Sequence, residues 1–364
     1  MDAQLADRLA ARTLELVDIA SPSRDEARLA AHVAGVLGAG GVAVRDAGDG
    51  CLVADLPTAG GDGSAPRLLL AGHLDTVPVQ DNVPGRREGE VVHGAGASDM
   101  KAGLAVMVEL GLELAARAGE GQHPAVTLCF FTREELPFGD SALTPLLARD
   151  AELRAVDAAI VLEPTANELH AGCLGNVNAT WTFAGRSGHS ARPWNADNAI
   201  VRAARAIARL AEAAPPTPHT IDGLEFREVV SVTEIGGGIA KNVIPDRVTA
   251  TVNYRYAPGR SADDAERHLH ELCSGEGETL SIDGNAPSGA VALDHPLIRA
   301  LIDAGDLTLA PKQAWTPVAE LAAAGVPAVN FGPGDPTYAH RRDEQVTAAA
   351  LARAYTILAG VLWS

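Results

Sequence analysis

Residues 68–75 read LLLAGHLD, an apolar run that leads directly into a histidine and an aspartate. The four apolar residues from Leu68 to Ala71 predict a buried strand. His73 and Asp75 follow at its carboxyl end, and in an open α/β sheet that edge is where ligands bind. The stretch therefore predicts both a central strand of the fold and the beginning of a site.

Two further predicted strands end in acidic residues. Ala125 to Thr132 is followed by Glu134 and Glu135, and Ala158 to Leu162 is followed by Glu163. Strands that alternate with helices predict an α/β domain with a mixed, largely parallel sheet flanked by helices. The other elements of this pattern are predicted helices at 3–18, 25–38 and 100–117, a strand from Ala328 to Phe331, and a last helix from 346.

The middle of the chain has a different pattern. Val248 to Tyr256 alternates strictly between apolar and polar residues, which is typical of a half-exposed antiparallel strand. Around it we predict strands at 177–185 and 229–235 and helices at 195–213 and 261–273. A chain of 364 residues is also long for one core. We therefore predict two domains, one formed by residues 1–176 and 294–364 and an inserted α+β domain at 177–293.

Composition limits the possible partners. Lys plus Arg number 29 against 47 Asp plus Glu, which gives a formal charge of -18 and no electrostatic footprint for nucleic acid or anionic lipid. The N-terminal stretch lacks the pattern of a signal peptide, and no stretch approaches the ~20 apolar residues of a membrane span. The four cysteines form no C-x-x-C pair. We expect free thiols, a cytoplasmic location, and no nucleic-acid or membrane partner.

Imidazoles and carboxylates collect where the predicted strands end. Oxygen and nitrogen donors without sulfur suit a hydrolytic zinc, manganese or cobalt site. Two histidines and three carboxylates are enough for two metal ions if one carboxylate bridges them. The candidates comprise two histidines and four carboxylates, one carboxylate more than the metal ions need: His73, His340, Asp99, Glu134, Glu135 and Glu163.

Two pairs of residues that are close in sequence suggest separate roles in metal binding and proton transfer. Glu134 and Glu135 repel each other unless their roles differ, so one is expected to bind metal while the other accepts a proton from water. Asp75 lies two residues after His73, where its carboxylate could accept the second imidazole N–H and fix the tautomer. Taken singly, each has a plainer explanation: a loop hydrogen bond for His73-x-Asp75, a solvated turn for Glu134-Glu135, and an N-cap for Asp99.

Seven segments together resemble a known family. In order along essentially the whole chain, they resemble segments of the dizinc metallopeptidases that include acetylornithine deacetylase, aminoacylase and glutamate carboxypeptidases. This resemblance implies a zinc-peptidase-like catalytic domain, an inserted lid and dimerisation domain, and a homodimer. The segments are GHLDTVP at 72–78, GASDMKAG at 96–103, TREEL at 132–136, LEPT at 162–165, GHSARP at 188–193, NVIPD at 242–246 and AHRRDEQV at 339–346.

The resemblance also implies how the metal ions are held. His73 and Glu163 would bind one zinc ion, Glu135 and His340 would bind the other, and Asp99 would bridge them. Cobalt or manganese could replace zinc.

Further residues receive catalytic or substrate roles from the same resemblance. Glu134 would act as general base and then as general acid. His189 would approach the developing oxyanion from the partner subunit, and Arg255 and Asn242 would face the substrate. Arg255 could instead be an exposed strand residue, and Asn242 could serve a turn before Pro245.

Within this family, the chain resembles the succinyl-diaminopimelate desuccinylases of actinobacteria. The implied reaction is hydrolysis of N-succinyl-LL-2,6-diaminopimelate to succinate and LL-2,6-diaminopimelate in lysine biosynthesis. The alternatives are acetylornithine deacetylase or another acyl-amino-acid deacylase or carboxypeptidase and, in another class, a non-catalytic metal-binding relative. Pro317 stands where relatives commonly carry Asp, so the sequence leaves the acyl-amino acid open. The similar segments include NYRYAPGRS at 253–261 and GVPAVNFGPGDP at 325–336.

Overall fold

The computed structural model describes residues 2–56, 65–118 and 124–363. The chain forms two compact units, which are described separately here. The first unit comprises Met1–Gly172, Ala290–Ala310 and Thr316–Ser364, and the second comprises Cys173–Gly289 and Pro311–Trp315.

The first unit is built on an eight-stranded sheet. Its four central strands run parallel to one another, whereas Leu52–Leu56 and Leu169–Ala171 pair with them in the antiparallel sense. This arrangement confirms the predicted mixed, largely parallel sheet. The strands, in sheet order, are Arg45–Asp46, Leu52–Leu56, Ala125–Phe131, Arg67–His73, Ala158–Val161, Ala328–Asn330, Leu169–Ala171 and Leu309–Pro311.

The strand Arg67–His73 lies between two parallel neighbours and is buried from Leu68 onward. Its continuous apolar run is what a strand covered on both faces requires. Gly72 marks a close approach of the helix Lys101–Ala116, because a Cβ atom at position 72 would lie 2.8 Å from the Leu104 side chain. The small residue therefore lets this helix pack directly beside the strand end that carries His73.

Helices and a small sheet complete the first unit. Ala3–Val17 and Ala348–Leu362 pack against each other and against Lys101–Ala116. No helix in the described part of the chain is both long and apolar enough to cross a membrane. The remaining helices are Ala27–Ala39, Leu143–Arg149, Ala151–Arg154, Pro296–Gly305 and Val318–Ala323, with 3-10 turns at Phe138–Asp140 and Pro336–Tyr338. The small antiparallel sheet has the order Gln345–Thr347, Val91–His93, Arg86–Glu88.

The second unit is a five-stranded antiparallel sheet with two helices, Ala199–Ala213 and Ala262–Leu272, packed on it. Trp181, Phe183 and Tyr254 are among the side chains that fill the core between them. The strands in sheet order are Thr217–Ile221, Leu224–Gly237, Arg247–Tyr256, Gly175–Ala184 and Glu278–Ala286, and a separate pair joins Gly188–His189 to Val243–Ile244.

Several boundaries differ from the sequence-based expectation. Residues 173–176 and 311–315 lie in the second unit and 290–293 in the first. The second unit begins early because Gly175 pairs with Tyr256 at the start of a ten-residue strand. The Gln313 side chain also donates to the Arg227 carbonyl at 2.9 Å, which fixes the 311–315 segment to that unit.

The second unit also differs from the prediction in the start of its first helix and in the unpredicted strand Thr217–Ile221. The helix expected at 195–213 begins at Ala199, because Pro193–Asn195 forms a 3-10 turn and the Asn198 side chain caps the Ile200 N–H. The strand Thr217–Ile221 is polar and contains a proline, so it carries a weak strand pattern.

Candidate metal centre

The parallel strands of the first unit deliver the predicted ligands to one sheet edge. His73 is the last residue of its strand, Glu163 follows Ala158–Val161 by two residues, and Glu135 follows Ala125–Phe131 by four. Asp99 lies in the loop just before the helix that packs on Gly72. Because the carboxyl ends of parallel strands lie along the same edge, residues far apart in the chain come together.

Asp99 contacts both histidines. Its Oδ1 lies 3.1 Å from His73 Nε2, and its Oδ2 lies 3.5 Å from His340 Nε2. His340 Nε2 is also 3.0 Å from Glu135 Oε2, while His73 Nε2 is 3.8 Å from Glu163 Oε1. The geometry thus forms two half-sites that share one carboxylate.

These separations fit metal coordination. Zn–N and Zn–O bonds are about 2.1 Å long, so two ligand atoms on one tetrahedral zinc ion stand about 3.4 Å apart. The nitrogen–oxygen distances between 3.0 and 3.8 Å bracket that value. One donor atom from each of His73, Asp99 and Glu135 also lies within 4.8 Å of the others. The residues present therefore fit divalent cations.

The electrostatics of the cluster support the same conclusion. Hydrogen bonds to Asp99 and Glu135 raise the pKa of His340 to about 10. Burial alone would lower the pKa of His73, but the hydrogen bond to Asp99 and the nearby carboxylates outweigh it and raise that pKa well above its ordinary value. The carboxylates therefore favour positive charge at both imidazoles, and a divalent cation satisfies the same requirement.

Glu134 differs from the neighbouring Glu135. Burial, followed by the negative charge of Glu163, raises the pKa of Glu134 well above its ordinary value. A carboxyl group that is harder to ionise beside a cluster of ligands is suited to exchanging protons. This property of Glu134 suits the proton-accepting role that the sequence predicts for one of the two glutamates.

The structure corrects the expected contact of Asp75. The backbone carbonyl of Asp75, not its carboxylate, lies 2.9 Å from His73 Nδ1, while the carboxylate Oδ1 is 3.7 Å away. Because a carbonyl only accepts, Nδ1 carries the hydrogen and Nε2 is left for a cation. The Asp75 carboxylate instead accepts the backbone N–H groups of Glu134 and Glu135, each at 3.0 Å.

A residue that sequence reasoning did not single out holds the loop of Asp99 in place. The buried Glu344 accepts backbone N–H groups from Gly96, Ser98 and Asp99 at 2.8, 2.9 and 2.8 Å. Burial raises its pKa to about 7, although these three bonds act in the opposite direction. The only signal was its position four residues after His340, and nothing in that spacing indicates a contact with the Asp99 loop.

The other three predicted site residues belong to the second unit. His189 and Asn242 come together there, because Gly188–His189 pairs with Val243–Ile244 and the Ser190 N–H donates to the Asn242 carbonyl at 3.0 Å. Arg255 lies on the central strand of the sheet, where its Nε donates to Asn253 Oδ1 at 3.0 Å. Burial lowers the pKa of this guanidinium from its ordinary value.

Comparison with known proteins adds independent findings. Residues 69–364 match the family described as Peptidase family M20/M25/M40. A Mycobacterium tuberculosis protein, provisionally named succinyl-diaminopimelate desuccinylase DapE, is 39% identical over 348 residues, which cover 95% of each chain. The succinyl-diaminopimelate desuccinylase of Corynebacterium glutamicum is 36% identical over 340 residues, covering 92% of this chain and 90% of that protein.

A solved structure shares the fold. The Bacillus subtilis YXEP protein, described as a dinuclear metal binding peptidase from M20 family, superposes with a TM-score of 0.74 at 16% sequence identity. The match covers 99% of this chain and 98% of the other. At this level of identity the likeness concerns the architecture.

Removal of His340 tests the two half-sites. We expect the wild-type protein to retain two equivalents of metal after dialysis, and His340→Ala to retain about one, because Glu135 then lacks its partner while His73 and Glu163 are untouched. Metal analysis by mass spectrometry provides the count. His270→Ala, an exposed histidine on a helix of the second unit, serves as the matched control and should retain both equivalents. Two retained equivalents in His340→Ala would contradict the assignment.

Proposed function

The chain belongs to peptidase family M20/M25/M40, as its motifs predicted, and we propose that it hydrolyses N-succinyl-LL-2,6-diaminopimelate. The products are succinate and LL-2,6-diaminopimelate, in lysine biosynthesis. The observation that carries the hydrolytic chemistry is the pair of half-sites joined by Asp99, with Glu134 beside them. The substrate is supported by two relatives of that name or provisional name, which align over at least nine-tenths of this chain.

Two divalent cations complete the site, most simply zinc, with cobalt or manganese as alternatives. His73 and Glu163 would hold one, His340 and Glu135 the other, and Asp99 both. When bound, the cations supply Lewis-acid polarisation of the amide carbonyl and lower the pKa of water.

Glu134 moves the proton in this reaction. It accepts a proton from the attacking water as the water oxygen bonds to the amide carbon, and it donates that proton to the amine nitrogen as the C–N bond breaks. Its raised pKa suits both steps, because a group that binds its proton more firmly than an exposed carboxylate can return it to the leaving group. Asp75 orients this base by holding the backbone N–H groups of Glu134 and Glu135.

The first unit is proposed as the catalytic domain and the second as the lid and dimerisation domain. His189 has a tautomer suited to stabilising an oxyanion. Its Nδ1 accepts the Ala191 N–H at 3.0 Å, so the neutral ring carries its hydrogen on Nε2 and can donate it. We assign this role to His189 of a second copy of the chain.

Arg255 and Asn242 are proposed to bind substrate from the second unit. The fork of a guanidinium matches a carboxylate, and the proposed substrate carries several carboxylates. The Arg255 Nε–H donates to Asn253, which orients the guanidinium for such a contact. Asn242 lies beside His189 through the bond between its carbonyl and the Ser190 N–H.

A homodimer is supported by an open strand edge in the second unit. The strand Leu224–Gly237 pairs with Thr217–Ile221 only as far as Glu228. Among the described residues, 229–237 therefore have a strand neighbour on one side only. Ile235 on this edge is 59% exposed, and Ile239 just beyond it is 88% exposed. An unpaired edge with exposed apolar side chains is a template for pairing with another chain.

On the basis of composition, we propose a cytoplasmic location and no nucleic-acid or membrane partner. The four buried cysteines are free thiols, which suits the reducing cytoplasm. The formal charge of -18 disfavours nucleic acid and anionic membranes.

The main alternative is another deacylase or carboxypeptidase of the same family, since all would use the same metal ligands. Pro317, where relatives commonly carry Asp, directly precedes the helix Val318–Ala323 with a φ of -56°. This φ is the one that the proline ring imposes, so a local backbone reason exists for the substitution. A non-catalytic metal-binding relative would have no use for Glu134 beside the ligands.

A substrate panel tests the proposed reaction. We expect kcat/KM for N-succinyl-LL-2,6-diaminopimelate to exceed that for N-acetyl-LL-2,6-diaminopimelate and for acetylornithine by about 100-fold, because loss of one charge-assisted carboxylate contact costs about 1.5–3 kcal/mol. Initial rates with the zinc-loaded enzyme provide the ratios. A preference for acetylornithine or another acetylated amino acid would replace the proposed substrate.

Replacement of the proposed base separates chemistry from metal binding. Glu134→Ala should keep two equivalents of metal and a wild-type melting temperature but lose about 10²–10⁴-fold in kcat, since it removes the proton acceptor alone. Glu152→Gln, at an exposed carboxylate of the same unit, is the control and should keep full turnover. Wild-type kcat in Glu134→Ala would remove Glu134 from this role.

A charge on the open edge tests the dimer. We expect the wild-type protein to have twice the 37.5 kDa mass of one chain, and Ile235→Lys to have the mass of one chain, because lysine on an edge strand opposes pairing. Light scattering coupled to size exclusion measures both masses. Thr279→Lys, on the opposite edge strand, should stay dimeric. A dimeric Ile235→Lys variant or a monomeric wild-type protein would contradict the proposal.

A further inference from the structure

The segment of residues 19–24 joins the first two helices of the chain and lies against residues 73–76. The Thr76 N–H donates to the Ser21 carbonyl at 2.9 Å, and the Ser23 N–H donates to the Thr76 carbonyl at 3.1 Å. These paired backbone bonds fix the segment beside the strand end that carries the first histidine ligand.

Within this segment, the Ser23 side chain reaches the carboxylate that supports the proposed base. Ser23 Oγ donates to Asp75 Oδ2 at 2.8 Å, and the same oxygen accepts the Glu135 N–H at 3.0 Å. The other oxygen, Oδ1, accepts the Glu134 N–H at 3.0 Å. A hydroxyl that donates to an ionised carboxylate makes one of the stronger kinds of hydrogen bond in a protein. Ser23 therefore contributes one of three donors that fix the Asp75 side chain.

Two other contacts link the segment to its surroundings, and they differ in how strongly they fix it. Lys101 is buried, and its Nζ donates to the Ile19 carbonyl at 2.7 Å, which joins the segment to the helix that follows Asp99. Arg24 lies 3.1 Å from Asp140, but these side chains are 62% and 48% exposed, so this ion pair contributes little. The specific side-chain link from the segment to the base is thus Ser23 to Asp75.

We propose that Ser23 is a positioning residue for the hydrolytic reaction. Its hydroxyl fixes the Asp75 carboxylate, and the fixed carboxylate holds the backbone of Glu134 and Glu135 so that one carboxylate faces the substrate and the other a cation. Without the hydroxyl, Asp75 keeps its two backbone donors but loses the side-chain donor to Oδ2. This inference deepens the proposed function and rests on it for the identity of the reaction.

Three substitutions at Ser23 distinguish the hydroxyl from the shape of the side chain. Ser23→Ala and Ser23→Val remove the donor, whereas Ser23→Thr keeps it in a side chain of the same shape as valine. Ser21→Ala is the matched control, because Ser21 lies in the same segment and its buried hydroxyl has no hydrogen-bond partner in the described part of the chain. Melting temperature and metal content verify that each variant is folded and loaded.

The kinetic result expected follows from the indirect role. Ser23→Ala and Ser23→Val should lower kcat about tenfold or more, as outer-sphere partners commonly do, with KM within about twofold because the substrate contacts are unchanged. Ser23→Thr and Ser21→Ala should retain kcat within about twofold. Wild-type kcat in Ser23→Val, or an equal loss in Ser23→Thr or Ser21→Ala, would overturn the inference, since the loss would then not follow the hydroxyl.

Amide hydrogen exchange provides a readout that does not depend on the substrate. We expect the Glu134 and Glu135 amides to exchange faster in Ser23→Ala and Ser23→Val than in the wild type, because their acceptor is less firmly held. Unchanged exchange in both variants would overturn the inference even if kcat fell. If the wild-type enzyme were inactive on N-succinyl-LL-2,6-diaminopimelate, the proposed function would be wrong. The hydrogen-exchange result would still decide whether Ser23 positions Glu134 and Glu135.

Discussion

The carboxylate of Asp99 lies between two imidazoles, with one oxygen near His73 and the other near His340, and the rest of the site depends on this arrangement. A carboxylate that serves two partners must be held at a fixed position and angle. The hydrogen bonds from His340 and His73 outweigh burial and hold the pKa of Asp99 well below its usual range. The ionised form of Asp99 is therefore favoured, which suits its proposed role as a carboxylate shared by two cations.

Backbone N–H groups offset part of the electrostatic repulsion among the carboxylates that the fold brings together. Glu344 accepts three N–H groups from the Asp99 loop, and Asp75 accepts two from the turn that carries Glu134. These two carboxylates thus orient neighbouring segments while peptide dipoles offset their own charge. The carboxylates at the centre of the cluster are left to contact the two imidazoles, and in the proposed function they also bind the cations.

Much of this arrangement could be predicted because apolar runs mark buried strands and the polar residue after each run marks the edge of the sheet. His73 and Glu163 were found in this way. Which histidine pairs with which carboxylate depends on the order of the strands in the sheet. The strand Arg67–His73 lies between Ala125–Phe131 and Ala158–Val161, and this order cannot be deduced from the order of the strands along the chain. The pairing came from family resemblance instead. Glu344 was missed because its partners lie about 245 residues earlier, and the Asp75 carbonyl was missed because backbone orientation leaves no mark in the sequence.

One missed element did carry a signal. Ile221 pairs with Leu224 across Asp222-Gly223, both of which have positive φ angles, and Asp-Gly is a common sequence for such a two-residue turn. The signal was weak because the strand before it, Thr217–Ile221, contains Pro218 and few apolar residues. This hairpin matters for the proposed homodimer. Its first strand is short, so the rest of the Leu224–Gly237 edge has no strand neighbour on that side among the described residues.

Anomalous diffraction from crystals grown with zinc tests the central claim most directly. We expect two zinc peaks, one about 2.0–2.2 Å from His73 and Glu163 and the other at the same distance from His340 and Glu135. Each zinc ion should also be bound by one oxygen of Asp99. A single peak, or a zinc ion bound by Glu134 in place of Glu135, would contradict the central claim.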